Sequence, residues 1–421
     1  MGCVIDCDVL VIGAGPAGSA AAIHAAEAGH EVLLIDSASF PRDKTCGDGL
    51  TPRAIHQLTR LGLSEQVTGN YHNKGLKLHG FGGSVTAPWP AGHFGTVGSA
   101  MPRQLFDALL ARTAVQRGAH LWEGATAVAA QRAADGAVEM VTVSHGGVDK
   151  HVHPRWIIVA DGVRSTFGKL LGRQWHKGEV YGIAARSYCD TPHSTEPWIH
   201  SHVELRDETG EVQPGYGWIF PLGDGRVNLG AGALSTDARP AKVNTKKLLA
   251  HYAAQQRDTW QLGPEQSVAS ALLPLGGAVS NVAGPNWILI GDAAACVNPL
   301  NGEGIDYGLE TAELAINLLG PAPLTHAWPA LLREQYGEAF LLARTAARLL
   351  TYPRFLPLVG PLGLRGPIGA LIMPAAARLM GNLVTDDDRD LIARAWRLAG
   401  WGVSKVRRDT PLWAGAETRV G

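Results

Sequence analysis

The chain has 421 residues, 46% of them hydrophobic and 18% charged, and its 37 Lys+Arg against 38 Asp+Glu leave a net charge of −1. It is too long for one ordinary domain and long enough for two around a large core, while the charge balance excludes the basic footprint of a nucleic-acid binder. Five scattered cysteines, Cys3, Cys7, Cys46, Cys189 and Cys296, show no CxxC or zinc spacing, so they are expected as reduced thiols in a cytoplasmic protein.

Residues 8–12, DVLVI, form an apolar run of strand length, and Asp6 and Asp8 interrupt it too early for a secretory leader. The run breaks into GAGPAG at 13–18, an Ala-rich helical pattern follows to 28, and a second apolar run at 32–35 ends in Asp36. Each part has a physical use. Gly13 permits the tight turn, Gly15 lets a pyrophosphate approach the backbone, and Gly18 lets helix and strand pack closely. The helix N-terminus offers free N–H groups, and Asp36 can accept from a ribose hydroxyl. The unit predicts a dinucleotide site without saying which dinucleotide.

A turn-rich loop at 37–50 leads to Thr51 and Pro52, a cap and first-turn proline that start a helix to about 61. Short strands are expected at 74–97, a helix at 103–118, strands around the Ala134-Asp135-Gly136 turn, and a buried strand at 156–160 stopped by Asp161-Gly162. From 180 to 234 alternating segments predict an antiparallel sheet, with strands at 181–188, 200–206, 216–220 and 226–229. A helix at 242–256 and a strand at 267–273 lead back to a buried strand at 287–290 and a helix at 304–319. From 326 the pattern is helical with Pro punctuation. The oily stretch 355–383 is broken by Arg365, Arg378 and several Pro and Gly, so no spanning helix is expected.

The GxGxxG, the strand ending in Asp161-Gly162 and the strand ending in Gly291-Asp292 occur in an order that resembles the FAD-binding fold of the p-hydroxybenzoate hydroxylase superfamily. The resemblance implies an α/β architecture with FAD as cofactor. A Rossmann-like FAD-binding domain would take 1–72, 98–175 and 275–325, an inserted antiparallel sheet for the substrate 73–97 and 176–274, and a helical C-terminal region 326–421. Asp292 would meet the ribitol or pyrophosphate end of FAD, and Arg103 the phosphate or ribityl region. Gly302, Gly304 and Ile305 would lie against the isoalloxazine. The other contacts so implied are Gly13, Gly15, Pro16, Ala17, Gly18, Asp36, Lys44, Cys46, Gly47, Asp48, Val128 and Asp161.

A narrower resemblance rests on PRDKTCGDGL at 41–50 and on GYGWIFP at 215–221, whose Tyr-x-Trp-x-Phe-Pro is similar to the geranylgeranyl reductase family. Within that family CGDGLTPRA, PGYGWIFPLG and IGDAAACVNPLNGEGIDYGLET resemble the actinobacterial menaquinone reductases. The implied activity is an FAD-dependent reductase, an oxidoreductase acting on CH–CH groups that saturates one isoprene unit of a menaquinone tail. The implied alternatives are a geranylgeranyl-lipid reductase or a monooxygenase or halogenase on the same fold. A flavin-containing lipid carrier is the non-enzymatic reading. The implied partners are a polyprenyl substrate, an electron donor that is either NAD(P)H or a redox protein, and the inner face of the cell membrane as a peripheral docking surface.

The residues also speak for themselves. Tyr216, Trp218 and Phe220 alternate, so on a strand they share one face, either as a wall for a greasy chain or as plain sheet core. An unconjugated alkene takes a hydride only with protonation, so an acid near the flavin is required. Cys46, in its Gly-rich loop, is the candidate for a proton donor or positioning thiol, with a packed loop cysteine as the other reading. Cys46, Tyr216, Trp218 and Phe220 are therefore the catalytic candidates. His200 and His202 share a strand face without a third metal ligand, and no metal is expected. Asp386, Asp387 and Asp388 read as a solvated helix start. Lys405, Arg407 and Arg408, beyond Trp396 and Trp401, read either as lipid-headgroup contacts or as solvated charge.

Overall fold

The structure is a computed structural model that describes residues 4–385, 391–406 and 412–413. The expectations for Asp386, Asp387, Asp388, Arg407 and Arg408 lie outside the described residues.

Strand Val4–Ile12 pairs in parallel with Val32–Asp36 on one side and Val148–Val159 on the other. His120–Glu123 extends this sheet beyond Val32–Asp36, and Trp287–Leu289 pairs with the end of Val148–Val159. Val9, Leu10, Val11, Leu34, Ile157, Ile158 and Ile288 are all buried, as a parallel sheet covered on both faces requires. Helices Pro16–Glu27, Arg103–Gln116 and Ile305–Leu318 pack against one another over it. The parallel strands all end at one edge, where Gly13, Asp36, Asp161 and Asp292 follow them. That edge is where an open α/β sheet binds ligands.

The second sheet runs Gln266–Pro274, Tyr181–Asp190, Arg226–Ser235, Gly215–Pro221, Ile199–His202, Gly75–Gly80, Gly83–Pro88. It is antiparallel except between Ile199–His202 and Gly75–Gly80. Helix Thr245–Trp260, capped by Asn244, covers one face with Leu248, Leu249 and Tyr252 against Ile219 and Leu229. The strand expected to stop at 229 continues to Ser235. Its extension begins with Gly230, Ala231, Gly232 and Ala233, small residues that carry no polar alternation to read. Helices Leu324–Leu350, Phe355–Leu364, Gly366–Met380 and Leu391–Val406 follow. Among the described residues no helix is long and apolar enough to cross a membrane.

Candidate active site

A cavity of about 880 Å³ lies between the C-terminal edge of the parallel sheet, the open face of the second sheet and helices Phe355–Leu364 and Gly366–Met380. At its parallel-sheet end, Gly13 has φ +101°, and a Cβ there would stand 2.4 Å from the Ala160 carbonyl oxygen. A Cβ at Gly18 would collide with the Gly13 carbonyl at 1.7 Å, so close packing holds the turn. Gly15 opens instead onto the guanidiniums of Arg42 and Arg103, 3.6 and 3.9 Å from where its Cβ would be. Asp107, one helical turn after Arg103, aims both cations. It accepts from Arg103 Nε at 2.6 Å and Nη2 at 2.8 Å, and from Arg42 Nη1 at 2.8 Å. A helix N-terminus with two aimed guanidiniums suits a pyrophosphate. Asp36 accepts from the Ala14 and Ala38 N–H groups at 2.8 and 2.9 Å. Burial lowers the Lys44 ammonium pKa, against the attraction of Asp292.

The loop before Thr51 crosses from this cradle to the second sheet. Asp48, fully buried at φ +64°, accepts from Tyr188 Oη at 2.7 Å and Asn228 Nδ2 at 2.9 Å. Asn228 Nδ2 also donates to the Cys46 carbonyl at 2.8 Å, and Asn228 Oδ1 accepts from Trp218 Nε1 at 2.9 Å. One amide thus fastens the Cys46 loop to the aromatic strand. Burial pushes the Cys46 thiol up to about 11, although Arg103 pulls the other way.

Strand Gly215–Pro221 turns Ile219 toward the covering helix and Tyr216, Trp218 and Phe220 into the cavity. Trp218 lies between its two neighbours with ring centroids 5.8 and 6.2 Å apart, tilted by 51° and 40°. The Phe220 ring lies over Gly47 and Gly49, where a Cβ would meet it at 2.9 and 3.2 Å. Tyr216 Oη donates to the Asn301 carbonyl at 2.5 Å. From this row the lining runs one way over Gly182, Ala184, Gly232, Ala271 and Leu273, and the other over Leu76, Ile199, Val359 and Leu364. Both limbs are apolar.

Of the sequence-derived candidates, Gly13, Gly15, Pro16, Ala17, Asp36, Lys44, Cys46, Gly47, Asp48, Arg103, Asp161, Tyr216, Trp218, Phe220, Asp292, Gly302, Gly304 and Ile305 line this cavity. Gly18 sits behind the turn. Val128 is a correction: it is 43% exposed beside a strand irregularity, and Ala125, Thr126 and Ala127 form that wall instead. His200 and His202 lie on the other face of the sheet with His79. His79 Nε2 is 3.0 Å from His200 Nδ1, and Tyr252 Oη is 2.6 Å from His202 Nδ1. Sequence reasoning missed Arg42, Asp107, Asn228 and Glu303. The i,i+4 spacing of Arg103 and Asp107 was a signal for that pair. The lone carboxyl between two glycines, Gly302 and Gly304, was one for Glu303.

Fold and site together define an α/β flavoprotein whose dinucleotide cradle opens into an oil-lined chamber. The FAD binding domain family matches residues 6–346. The menaquinone reductase of Mycobacterium tuberculosis (strain H37Rv) is 53% identical over 406 residues, 96% of this chain and 98% of the relative. Digeranylgeranylglycerophospholipid reductase 2 of Methanosphaera stadtmanae is 29% identical over 74% of this chain and 77% of its own. Among solved structures, a geranylgeranyl bacteriochlorophyll reductase-like protein of Thermoplasma acidophilum superposes with a TM-score of 0.73 at 21% identity, covering 97% of this chain and 100% of its own. The chain belongs to the FAD binding domain family, in the branch that holds the menaquinone reductases. Its cofactor is FAD, and the cradle at Gly15, Arg42 and Arg103 fits that group.

Proposed function

We propose that this protein is an FAD-dependent reductase that saturates one isoprene double bond in the tail of menaquinone. The observation that carries the reading is the aromatic row of Tyr216, Trp218 and Phe220, which faces an apolar cavity continuous with the dinucleotide cradle. FAD, when bound and reduced, supplies the hydride. Gly13, Gly15, Pro16, Ala17, Arg42, Lys44 and Arg103 would hold its phosphates, Asp36 its ribose, Asp292 its ribitol or pyrophosphate end, and Gly302, Gly304 and Ile305 its ring. The chain's own residues do the rest. The two limbs let an interior unit of a long tail pass the aromatic row. The three rings stabilise positive charge developing at the tertiary carbon by about 0.5–2 kcal/mol each. The apolar lining around the aromatic row disfavours water that would capture that carbon.

The test is anaerobic. Purified holoenzyme, reduced chemically without oxygen, is given menaquinone, and the product is weighed. A tail two hydrogens heavier supports the reading. An absolute need for oxygen sinks it in favour of a monooxygenase or halogenase.

We also infer peripheral docking on a membrane by helix Phe355–Leu364. Leu358 and Leu362 are 73% and 63% exposed, and Leu362 lines the cavity as well, so it marks an oily mouth. Leu398 and Trp401 add exposed apolar surface on Leu391–Val406, with Lys405 over the Trp401 ring. The double variant L358E/L362E is expected to lose binding to vesicles and turnover of vesicle-embedded quinone, while keeping turnover of detergent-solubilised quinone. Undiminished vesicle binding defeats this docking.

A further inference from the structure

Saturating an alkene consumes a proton as well as a hydride. The π bond breaks, one carbon takes the hydride with its electron pair, and the other takes a proton. An isolated alkene is so weak a base that the proton must come from an acid held against it. On the reading above, that acid faces the cavity beside the aromatic row. Asp48 is committed to Tyr188, Asn228 and the Arg103 N–H behind the loop. Lys44 stands at the cradle end, near Gly162 and Asp292. Tyr216 gives its hydroxyl proton to the Asn301 carbonyl.

We propose that Glu303 is the acid: its carboxyl O–H breaks as the new C–H bond forms, and the carboxylate regains a proton from water between turnovers. The placement is geometric. Glu303 lines the cavity in a turn between Gly302, at φ +75°, and Gly304. Asn301 Oδ1 accepts from its N–H at 2.9 Å, and the Asn301 carbonyl receives the Tyr216 hydroxyl. The aromatic row and Glu303 are thus referred to one residue. The Glu303 carboxyl takes its donors from the backbone of its own loop, Ile305 N at 3.3 Å and the Asp306 N–H. Three residues on, Asp306 takes the donors: Thr51 Oγ1 at 3.0 Å and Asn382 Nδ2 at 2.6 Å, with the Arg53 cation nearby. Burial raises both carboxyls, but these donors and the Arg53 cation pull Asp306 back down, so on this proposal Asp306 carries the charge and Glu303 the proton. Burial, then Asp306 and Asp292, raise Glu303 well above the usual carboxylate range. The other titratable groups facing it are Cys46 on the loop and Tyr216 on the strand. A carboxylic acid starts about four units more acidic than a thiol and about six more than a phenol, so under shared burial Glu303 is the strongest acid of the three.

The test compares wild type, E303Q and E303D as holoenzymes, chemically reduced without oxygen, with menaquinone in detergent. Tail saturation is read by mass spectrometry, FAD content by absorbance, and the protonated carboxyl by its infrared C=O stretch. E303Q is expected to keep its FAD and to saturate the tail about 100-fold more slowly, with E303D partly restored. The protonated-carboxyl band of the wild type at pH 7 should be missing from E303Q. The wild-type rate should fall at alkaline pH where that band disappears. An E303Q rate near wild type, loss of FAD from E303Q, or a band and rate that titrate apart overturns the assignment. A wild type that binds FAD and saturates no tail overturns the functional reading instead, and the band still reports whether Glu303 holds the proton.

Discussion

Asp48 carries a left-handed backbone and a carboxyl shut off from solvent. Tyr188 and Asn228 favour its charged form, but burial outweighs them and pushes it up to about 6 from 3.8. A carboxyl raised in the folded state adds stability below pH 4 that is lost as pH rises through 6. The shift corresponds to roughly 3 kcal/mol. The stability of wild type relative to D48N, from urea unfolding, is therefore expected to fall by about 2 kcal/mol between pH 4 and pH 6, with the remainder lost on either side of that window. A flat difference across the window refutes it. Burial acts on Cys46 in the same sense. With its thiol at about 11, only about one molecule in ten thousand is thiolate at pH 7. Its alkylation should then accelerate tenfold per pH unit through the neutral range, which mass spectrometry of the modified peptide follows; a plateau near pH 8 contradicts the burial. Sequence placed Cys46 in a loop near the cofactor but could not supply these values. The burial that sets them comes from tertiary packing, and the groups that bond to Asp48, Tyr188 and Asn228, are 140 and 180 residues away in sequence.

The aromatic strand depends on its neighbour as much as on its own pattern. Alternation told which residues of Gly215–Pro221 share a face, because the period of a strand is two. It could not tell which face meets a cavity. That follows from Gly230, opposite Trp218 in the ladder, where a Cβ would lie 1.9 Å from the indole. Gly217 does the same on the other face, where Tyr252 would be struck at 2.5 Å. The glycines are complements to rings, which is why a run without alternation still forms a strand. G230A is expected to destabilise by about 1–3 kcal/mol through overpacking. Replacing the indole with a smaller ring should return part of that loss. A cycle of G230A, W218F and the double variant by thermal unfolding should show a favourable coupling energy of about 0.5–3 kcal/mol. Strict additivity shows instead that the indole and residue 230 do not compete for space.

Across the whole molecule, the segment 298–306 is where the parallel sheet, the second sheet and the C-terminal helices meet. The motif order made the first of these legible in sequence. The third was readable only as helical and oily, since its attachments run through single amides rather than through a periodic face. Asn298 Nδ2 donates to the Leu379 carbonyl at 3.1 Å, and Asn301 Nδ2 to that of Met380. Asn382, at φ +60° just past Gly366–Met380, donates to Asp306 at 2.6 Å, while its carbonyl accepts from Arg53 at 3.1 Å. These bonds hold the helices that roof the cavity onto the loop that carries Glu303. Glycine tolerates the left-handed backbone at 382, so N382G removes the amide without adding strain. Asp306 then lacks one donor in a buried site, a loss of about 1–3 kcal/mol. If the roof is fastened here, amide hydrogen exchange in N382G should quicken in Phe355–Leu364 and Gly366–Met380 and stay unchanged in Val148–Val159. Unaltered exchange in both helices would mean that their apolar contacts alone hold the roof. Equal acceleration in all three would mean that Asn382 supports the fold at large rather than the junction of roof and loop.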